Sequence, residues 1–452
     1  MLLRRSSLVL LTSVLIAGCG GTAQDPGVTQ GDAIPGGRSP AQAAAIPACD
    51  ADNGGLTLPE GFCALVVHEG VGPARHMAVA PNGDIYVAIQ PRRSAESTAD
   101  MGGIAALRDT TGDGRADELV RFGPTGGTGI AVHNGYLYFA PNTHVLRWRL
   151  SDAAELEPES PADTIVHGFP DQRSHAAKTL AFDGQGSMWV NVGGPSNACQ
   201  QEDRQAGSPG QDPCPELERG GGVWRFDANR TGQHQRDGEH WATGVRNAVA
   251  LAYHPAANAL YAVQHGRDML NVAAPDEFTP QENAELPSEE FLRLDRGVDY
   301  GWPYCYHDPR QGRRVLAPEY GGDGQQVGRC AQYPAPLTAY PAHWAPQELL
   351  FYTGEQYPAR YREGAFIAWH GSWNRAPMPQ RGYKVSFQPM SGGSPAGDWE
   401  VFADGFAGRE AIPSPGEAQY RPMGLAQAPD GTLYVVDSKE GRIWRVVYRG
   451  AR

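Results

Sequence analysis

The residues able to do chemistry are few and widely spaced. His175 lies in Ser174-His175-Ala-Ala-Lys178-Thr-Leu-Ala-Phe, just ahead of an apolar stretch. Imidazole titrates near neutrality, so such a histidine can accept a hydroxyl proton at working pH. Arginines precede similar stretches at Arg246-Asn247 and at Arg421, and a guanidinium fork suits bidentate contact with carboxylates. The run Asp109-Thr-Thr-Gly-Asp113-Gly-Arg-Ala-Asp117-Glu118 resembles a helix-flanked calcium loop. However, Thr111 stands where an acid is needed, and Val120 where the bidentate glutamate should be. A polar hairpin turn is therefore expected there. No Gly-x-Gly-x-x-Gly unit opens a helix, which leaves a nicotinamide cofactor without support. Gly220-Gly221-Gly222 precedes a strand and reads as a turn.

The N-terminus reads as an export signal. Arg4 and Arg5 precede an apolar run from Leu8 to Ile16, too short to span a bilayer, which ends in Ile16-Ala17-Gly18-Cys19. This resembles the lipobox of bacterial lipoproteins, and implies cleavage before a lipid-modified Cys19. Residues 20–48 are rich in Gly, Pro, Gln, Ala and Ser, and poor in aromatic residues, as expected of a flexible tether. Six further cysteines remain: Cys49, Cys63, Cys199, Cys214, Cys305 and Cys330. An even number in an exported chain points to disulfides, with pairing between sequence neighbours the economical choice among several. No Cys-x-x-Cys pair occurs, which speaks against a thiolate metal site or a covalently attached haem. The formal net charge of −13 argues against nucleic acid as a partner.

The elements that must position these residues are repeated hairpins. Residues 76–87 read as strand, Asn82-Gly83 turn, strand. The pattern recurs at 128–140 around Asn134-Gly135, at 180–192 around Asp183-Gly184, at 249–263, and at 423–436 around Asp430-Gly431. A weaker sixth unit lies at 365–385. Further strands follow the units, as at 145–150, 222–226 and 442–447. A hairpin cannot bury its apolar face alone, so such units must stack, and radial stacking leaves only short edges. The expected fold for residues 49–452 is an all-β, six-bladed β-propeller, with a β-sandwich as the alternative. The polar or Pro-rich segments 197–218, 276–290, 307–334 and 374–420 read as long loop insertions over one face.

The ordered set of motifs resembles the soluble PQQ-dependent sugar dehydrogenases, specifically the glucose/sorbosone dehydrogenase branch. It comprises the His175 segment, Thr243-Gly-Val-Arg246-Asn247, Asp299-Tyr-Gly-Trp302-Pro303, Trp369-His370-Gly-Ser-Trp373-Asn374-Arg375, and Tyr420-Arg421-Pro-Met-Gly-Leu-Ala. The resemblance covers roughly residues 58–447 and implies several roles. His175 matches the general base. Arg246, Asn247 and Arg421 match contacts to PQQ, and Lys178 and Arg375 less closely so. A calcium ion would rest on carbonyl groups of Gly266 and Arg267. The chain departs from the pattern at three places. Gly193-Gly194-Pro195 replaces an aspartate that often orients the base, Ser174 stands where an acid can precede it, and Arg267 stands where proline is usual.

The resemblance implies PQQ- and Ca2+-dependent oxidation of an aldose or related sugar by hydride transfer. Electrons would pass to a separate periplasmic acceptor, the chain being held at the membrane only through lipid on Cys19. Two other readings compete: a non-redox propeller lipoprotein that binds carbohydrate or protein, and a calcium-dependent lactonase. A lactonase would need acids converging on the metal, whereas the candidate channel residues here are mostly basic.

Overall fold

The protein is described by a computed structural model over residues 46–91, 102–150, 155–159 and 161–450. The expected signal segment, Cys19 and residues 20–45 of the expected tether lie outside the described residues. No helix among the described residues is long and apolar enough to cross a membrane.

Six sheets, each built on four antiparallel strands, form a β-propeller, and two of them carry a short fifth strand paired in parallel. Blade one runs Ala74–Val79, Ile85–Ile89, Gly103–Arg108 and Glu118–Phe122, from the inside outward. Blade two runs Gly127–His133, Tyr136–Pro141, His144–Arg149 and Asp163–His167. Blade three runs Leu180–Phe182, Ser187–Val192, Gly222–Asp227 and Glu239–Thr243. Blade four consists of Ala250–His254, Ala259–Gln264, Glu289–Arg293 and Thr338–Tyr340. Blade five consists of Pro346–Phe351, Ala365–Trp369, Lys384–Gln388 and Glu400–Ala403. Blade six has Pro422–Gln427, Leu433–Asp437 and Ile443–Tyr448, and takes its outermost strand, Phe62–His68, from the other end of the chain. Phe62 pairs with Tyr448 and Cys63 with Val447, so hydrogen bonds between the two ends close the ring.

Period-2 alternation explains the packing. In Ile85–Ile89 every residue is buried. Ile85, Val87 and Ile89 pack towards blade six, while Tyr86 and Ala88 pack towards blade two. A middle strand in a propeller has a blade on both faces, and so reads as a continuous apolar run. The core is accordingly divided into sheet-to-sheet layers between neighbouring blades rather than gathered at one centre. The layer between blades five and six is the most aromatic, with Tyr357, Tyr361, Phe366, Phe387, Phe402 and Trp444.

The expected disulfides are all present: Cys49–Cys63, Cys199–Cys214 and Cys305–Cys330. The run from Asp109 is a self-contained turn. Asp109 accepts the Gly112 and Gly114 N–H groups, and Asp117 accepts those of the Thr110 backbone and hydroxyl.

Two sequence expectations shift. The sixth unit at 365–385 joins the second and third strands of blade five, because its innermost strand is Pro346–Phe351. That strand is followed by thirteen residues with no Asn-Gly or Asp-Gly turn, which hid the hairpin. The segment 374–420 likewise contains the two outer strands of blade five, and 307–334 carries part of a small hairpin, Cys305–Asp308 with Arg313–Leu316.

Candidate active site

In an up-and-down blade, the start of the first strand and the end of the second lie at the same end of the sheet. Residues at those two places in every blade therefore share one mouth of the central channel. Arg75, Arg246-Asn247, Gln347 and Arg421 stand at or just before first strands. Gly193-Gly194, His265, His370 and Ser438 follow second strands. Hydrogen bonds join them across blades: Gln347 Nε2 reaches His265 Nε2 at 3.1 Å, and His370 Nε2 lies 2.7 Å from Ser438 Oγ.

His175 precedes blade three in a left-handed backbone conformation, φ 50°. Gln172 clamps its loop by donating to the carbonyl groups of Ser174, His175 and Gly193. His175 Nδ1 lies 2.6 Å from Gly194 O. A carbonyl can only accept, so Nδ1 carries the proton and Nε2 keeps its lone pair. Here Gly194 O orients the ring, where the resembled family often has an aspartate. A side chain has no room at this point, because a Cβ on Gly194 would overlap the Trp302 ring and one on Gly193 would overlap His175. Burial, reinforced by the Arg246 charge, lowers the His175 pKa to about 3. His265 is lowered to about 4 by burial, and His370 falls well below its usual value through burial and Arg421. All three imidazoles are thus held neutral.

Arg246 is buried and nearly saturated. Nε donates to Asn197 O (3.1 Å), Nη1 to Gly266 O (3.0 Å), and Nη2 to Asn197 Oδ1 (3.0 Å) and Asp268 Oδ2 (2.8 Å). Asn247 is buried beside it, its backbone carbonyl 3.2 Å from His265 Nδ1. Arg421 donates through Nε to His370 O (3.0 Å) and through Nη2 to Gly371 O (2.8 Å), leaving Nη1 without a partner among the described residues. Arg75, which sequence reasoning passed over, bonds among the described residues only through Nε, to Thr128 Oγ1 at 3.3 Å. Burial lowers all three guanidiniums, Arg75 to about 10. They nonetheless stay charged at neutral pH.

The acid of the site is Asp268. It is buried and accepts from Arg246, from Arg204 (3.2 Å) and, through Oδ1, from Asn374 Nδ2 (2.7 Å). Burial alone would raise its pKa, but Arg246 and Arg204 hold it far below the usual carboxylate range. Asp268 thereby joins three of the long loops over the mouth, those carrying Asn197 and Arg204, Asp268 itself, and Asn374. The sequence signal was its place beside Gly266 and Arg267; what it binds comes from other blades.

The remaining candidates are placed differently. Lys178 is fully buried, with Nζ on Ala176 O (2.7 Å) and 5.9 Å from the Phe169 ring centre. Burial lowers it to about 7, and the one charge acting on it is Asp171 rather than any group of the mouth. Arg375 is spent on the backbone carbonyl groups of Ala284 and Pro379. The Arg267 guanidinium points away into a buried pair with Glu319. Gly266 O is taken by Arg246, and the Gly266 N–H donates to Glu289 (2.6 Å), whose carboxyl burial raises to about 8. A calcium ion at Gly266 O would have to displace that guanidinium, so the loop as it stands does not fit a cation there. An anion of several carboxylates fits the mouth well, because Arg75 and Arg421 keep N–H groups with no partner among the described residues, while Asp268 is paired with Arg246 and Asp437 is taken up by backbone N–H groups. The clefts elsewhere, such as one of about 350 Å³ lined by Gly210, Asp212, Leu316, Glu319, Tyr320 and Arg329, contain none of these groups.

The family model described as TrAA12-like matches residues 56–449. The chain belongs to that family. Among curated relatives, it is 27% identical over 209 residues to an uncharacterised protein of Borreliella burgdorferi, covering 46% of this chain and 48% of that one. It is 27% identical over 233 residues to a pyrroloquinoline quinone-dependent pyranose dehydrogenase of Coprinopsis cinerea, covering 44% of this chain and 30% of the relative. The matches thus span less than half of either curated relative. Among solved structures, the holo PQQ domain of the Coprinopsis cinerea pyranose dehydrogenase superposes with a TM-score of 0.66 at 19% identity, over 87% of this chain and 97% of that one. A calcium structure of the Trichoderma reesei family AA12 enzyme gives 0.68 at 15% identity, over 87% and 97%. The apo aldose sugar dehydrogenase of Escherichia coli gives 0.56 at 15%, over 86% and 100%.

Proposed function

We propose that this TrAA12-like chain is a PQQ-dependent dehydrogenase of sugars. The observation that carries the reading is electrostatic. In a chain with formal net charge −13, guanidiniums from blades one, four and six converge on one channel mouth where, among the described residues, Asp268 is paired with Arg246 and Arg204, and Asp437 accepts the backbone N–H groups of Arg421, Lys439, Glu440 and Gly441. Glu289 and Glu348, both raised by burial, add no charge near neutrality. Such a pocket has already borne the desolvation of its cations, and a tricarboxylate such as PQQ supplies the missing counter-charge. When bound, PQQ would supply the two-electron acceptor for a hydride.

The chain's own residues supply the proton chemistry. His175 presents an unprotonated Nε2, held in its tautomer by Gly194 O, to take the hydroxyl proton of a sugar as the hydride leaves carbon. Neighbouring Arg246 disfavours the imidazolium, so the proton must pass on to water once the product forms. Loss of a hydride and a proton at C1 of an aldose gives the lactone. The electrons then go to a separate acceptor, in keeping with an exported lipoprotein. Calcium belongs to the proposal as a requirement to be tested, with no step assigned to it.

The test is reconstitution of the mature chain with PQQ, with and without calcium, followed by dye reduction across an aldose panel. His175→Ala should lower kcat by roughly two to four orders of magnitude. Folded protein that neither binds PQQ nor reduces dye would instead favour a carbohydrate- or protein-binding propeller.

A further inference from the structure

The mouth also carries an aromatic side chain that the chemistry above leaves unused. Trp373 is 53% exposed, and among the described residues its ring neither stacks on another nor receives a cation. Its Nε1–H has no partner among the described residues. An isolated exposed apolar residue needs no explanation in general. What distinguishes Trp373 is its place and its support. Ile46, Leu119, Leu337 and Val401, the other large apolar side chains exposed among the described residues, lie at the N-terminal segment, on outer strands or, for Leu337, just before one.

Trp373 lies between two residues tied to the site. Two positions before it, Gly371 O accepts from Arg421 (2.8 Å), and one after it, Asn374 Nδ2 donates to Asp268 (2.7 Å). Its flanks are pinned. Ser372 is fully buried, its hydroxyl on Gln380 Oε1 (2.8 Å) and its carbonyl accepting from Tyr383 OH (3.0 Å). Asn374 O accepts from Asn283 Nδ2 (3.2 Å), and Arg375 is buried on backbone carbonyl groups. The indole is therefore held out over the rim on a backbone with little freedom to collapse, so little ordering entropy is lost when something stacks on it.

We propose that Trp373 is a stacking platform for a pyranose ring one or more units beyond the reacting sugar, so that the substrate class includes oligosaccharides. The axial C–H face of a pyranose is apolar and flat, matching an indole, and its ring hydroxyls can accept from the free Nε1–H. A protein partner would need a contiguous apolar patch, whereas the residues flanking Trp373 are polar or buried. The inference rests on the sugar dehydrogenase reading for the position of the reacting end, but its test does not require the cofactor.

The experiment titrates the full mature chain, without and with PQQ, with cellotetraose, maltotetraose and glucose. Calorimetry gives the affinity, and the difference in emission between wild type and Trp373→Phe isolates the exposed indole. At least one tetrasaccharide should bind and shift that indole's emission to the blue. Trp373→Ala should weaken this binding about tenfold, with glucose affinity changed less than twofold, and Trp373→Phe should restore most of the loss. Tetrasaccharide affinity equal in wild type and Trp373→Ala, or no tetrasaccharide binding at all, overturns the proposal. So does a Trp373→Ala effect confined to the rate of reducing a protein electron carrier. Trp373-dependent tetrasaccharide binding in a chain that does not take up PQQ leaves the subsite standing and sinks the dehydrogenase reading. Normal PQQ uptake and glucose oxidation with no Trp373 effect does the reverse.

Discussion

Replacing Asp268 by asparagine tests the charge balance on which the site depends. The side chain keeps its shape and most of its hydrogen bonding, but Arg246 loses its counter-charge. That guanidinium is 4% exposed and has no other carboxylate within ion-pair distance, while Arg204, the second partner, is 26% exposed and can turn to water. Removing one partner of a buried pair costs about 3–5 kcal/mol. For roughly 400 ordered residues, an unfolding entropy near 2.1 cal/mol/K per residue sums to about 0.8 kcal/mol/K, so each kcal/mol moves Tm by about 1.2 °C. Asp268→Asn should therefore lower the apo-protein Tm by about 4–6 °C in scanning calorimetry. An anionic ligand at the mouth replaces the lost charge, so saturating PQQ should raise the Tm of the variant by more than that of wild type. A variant that melts within about 1 °C of wild type, or one that gains no more from PQQ, would refute the idea that Asp268 neutralises Arg246 in a pocket built for an anion.

Three further outcomes follow from the same geometry. Arg421→Met or Arg75→Met should each weaken PQQ binding by about tenfold or more, the scale of a charge-assisted hydrogen bond, as read by calorimetric titration, while the apo fold is retained. Because His175 is neutral down to about pH 3 in the folded chain and titrates near 6.5 when unfolded, unfolding takes up a proton between those values. Wild type should then lose stability relative to His175→Gln as pH falls below 6.5, by at most about 1.4 kcal/mol per unit, less whatever solvent reaching this half-buried ring offsets. Gly194→Ala, whose new methyl has no space beside Trp302, should cost about 1–3 kcal/mol in denaturant unfolding and lower kcat by moving the carbonyl that orients His175.

Much of this was legible in the linear chain because it is local. Asn-Gly and Asp-Gly turns between short apolar runs marked four of the six inner hairpins, a short Pro-Ala-Ala-Asn turn marked a fifth, and their recurrence gave the repetition that makes a propeller. Cysteines close in sequence paired as proximity suggests. Blade five was misplaced by one strand because its first connection is a loop of thirteen residues rather than a short turn. The candidate residues His175, Arg246 and Arg421 drew notice because each stands shortly ahead of a repeat's first strand. Arg75 stands at the start of the first strand of blade one and was recoverable by a similar rule.

The rest was decided by contacts between blades, which no local pattern encodes. Lys178 lies three residues from His175 in sequence, yet its amine sits on Ala176 O and beside the Phe169 ring, away from the groups of the mouth. Asp268 is an unremarked loop acid in the chain, and becomes the hub of the mouth only when loops of blades three, four and five meet on it. The missing orienting aspartate is explained by Trp302, about a hundred residues away, whose ring fills the space such a side chain would need. Sequence determined which residue types recur at which offset. Tertiary structure decided which of them share a cavity, and that in turn set which charges are paired, which imidazoles are neutral, and which guanidiniums are left for a ligand.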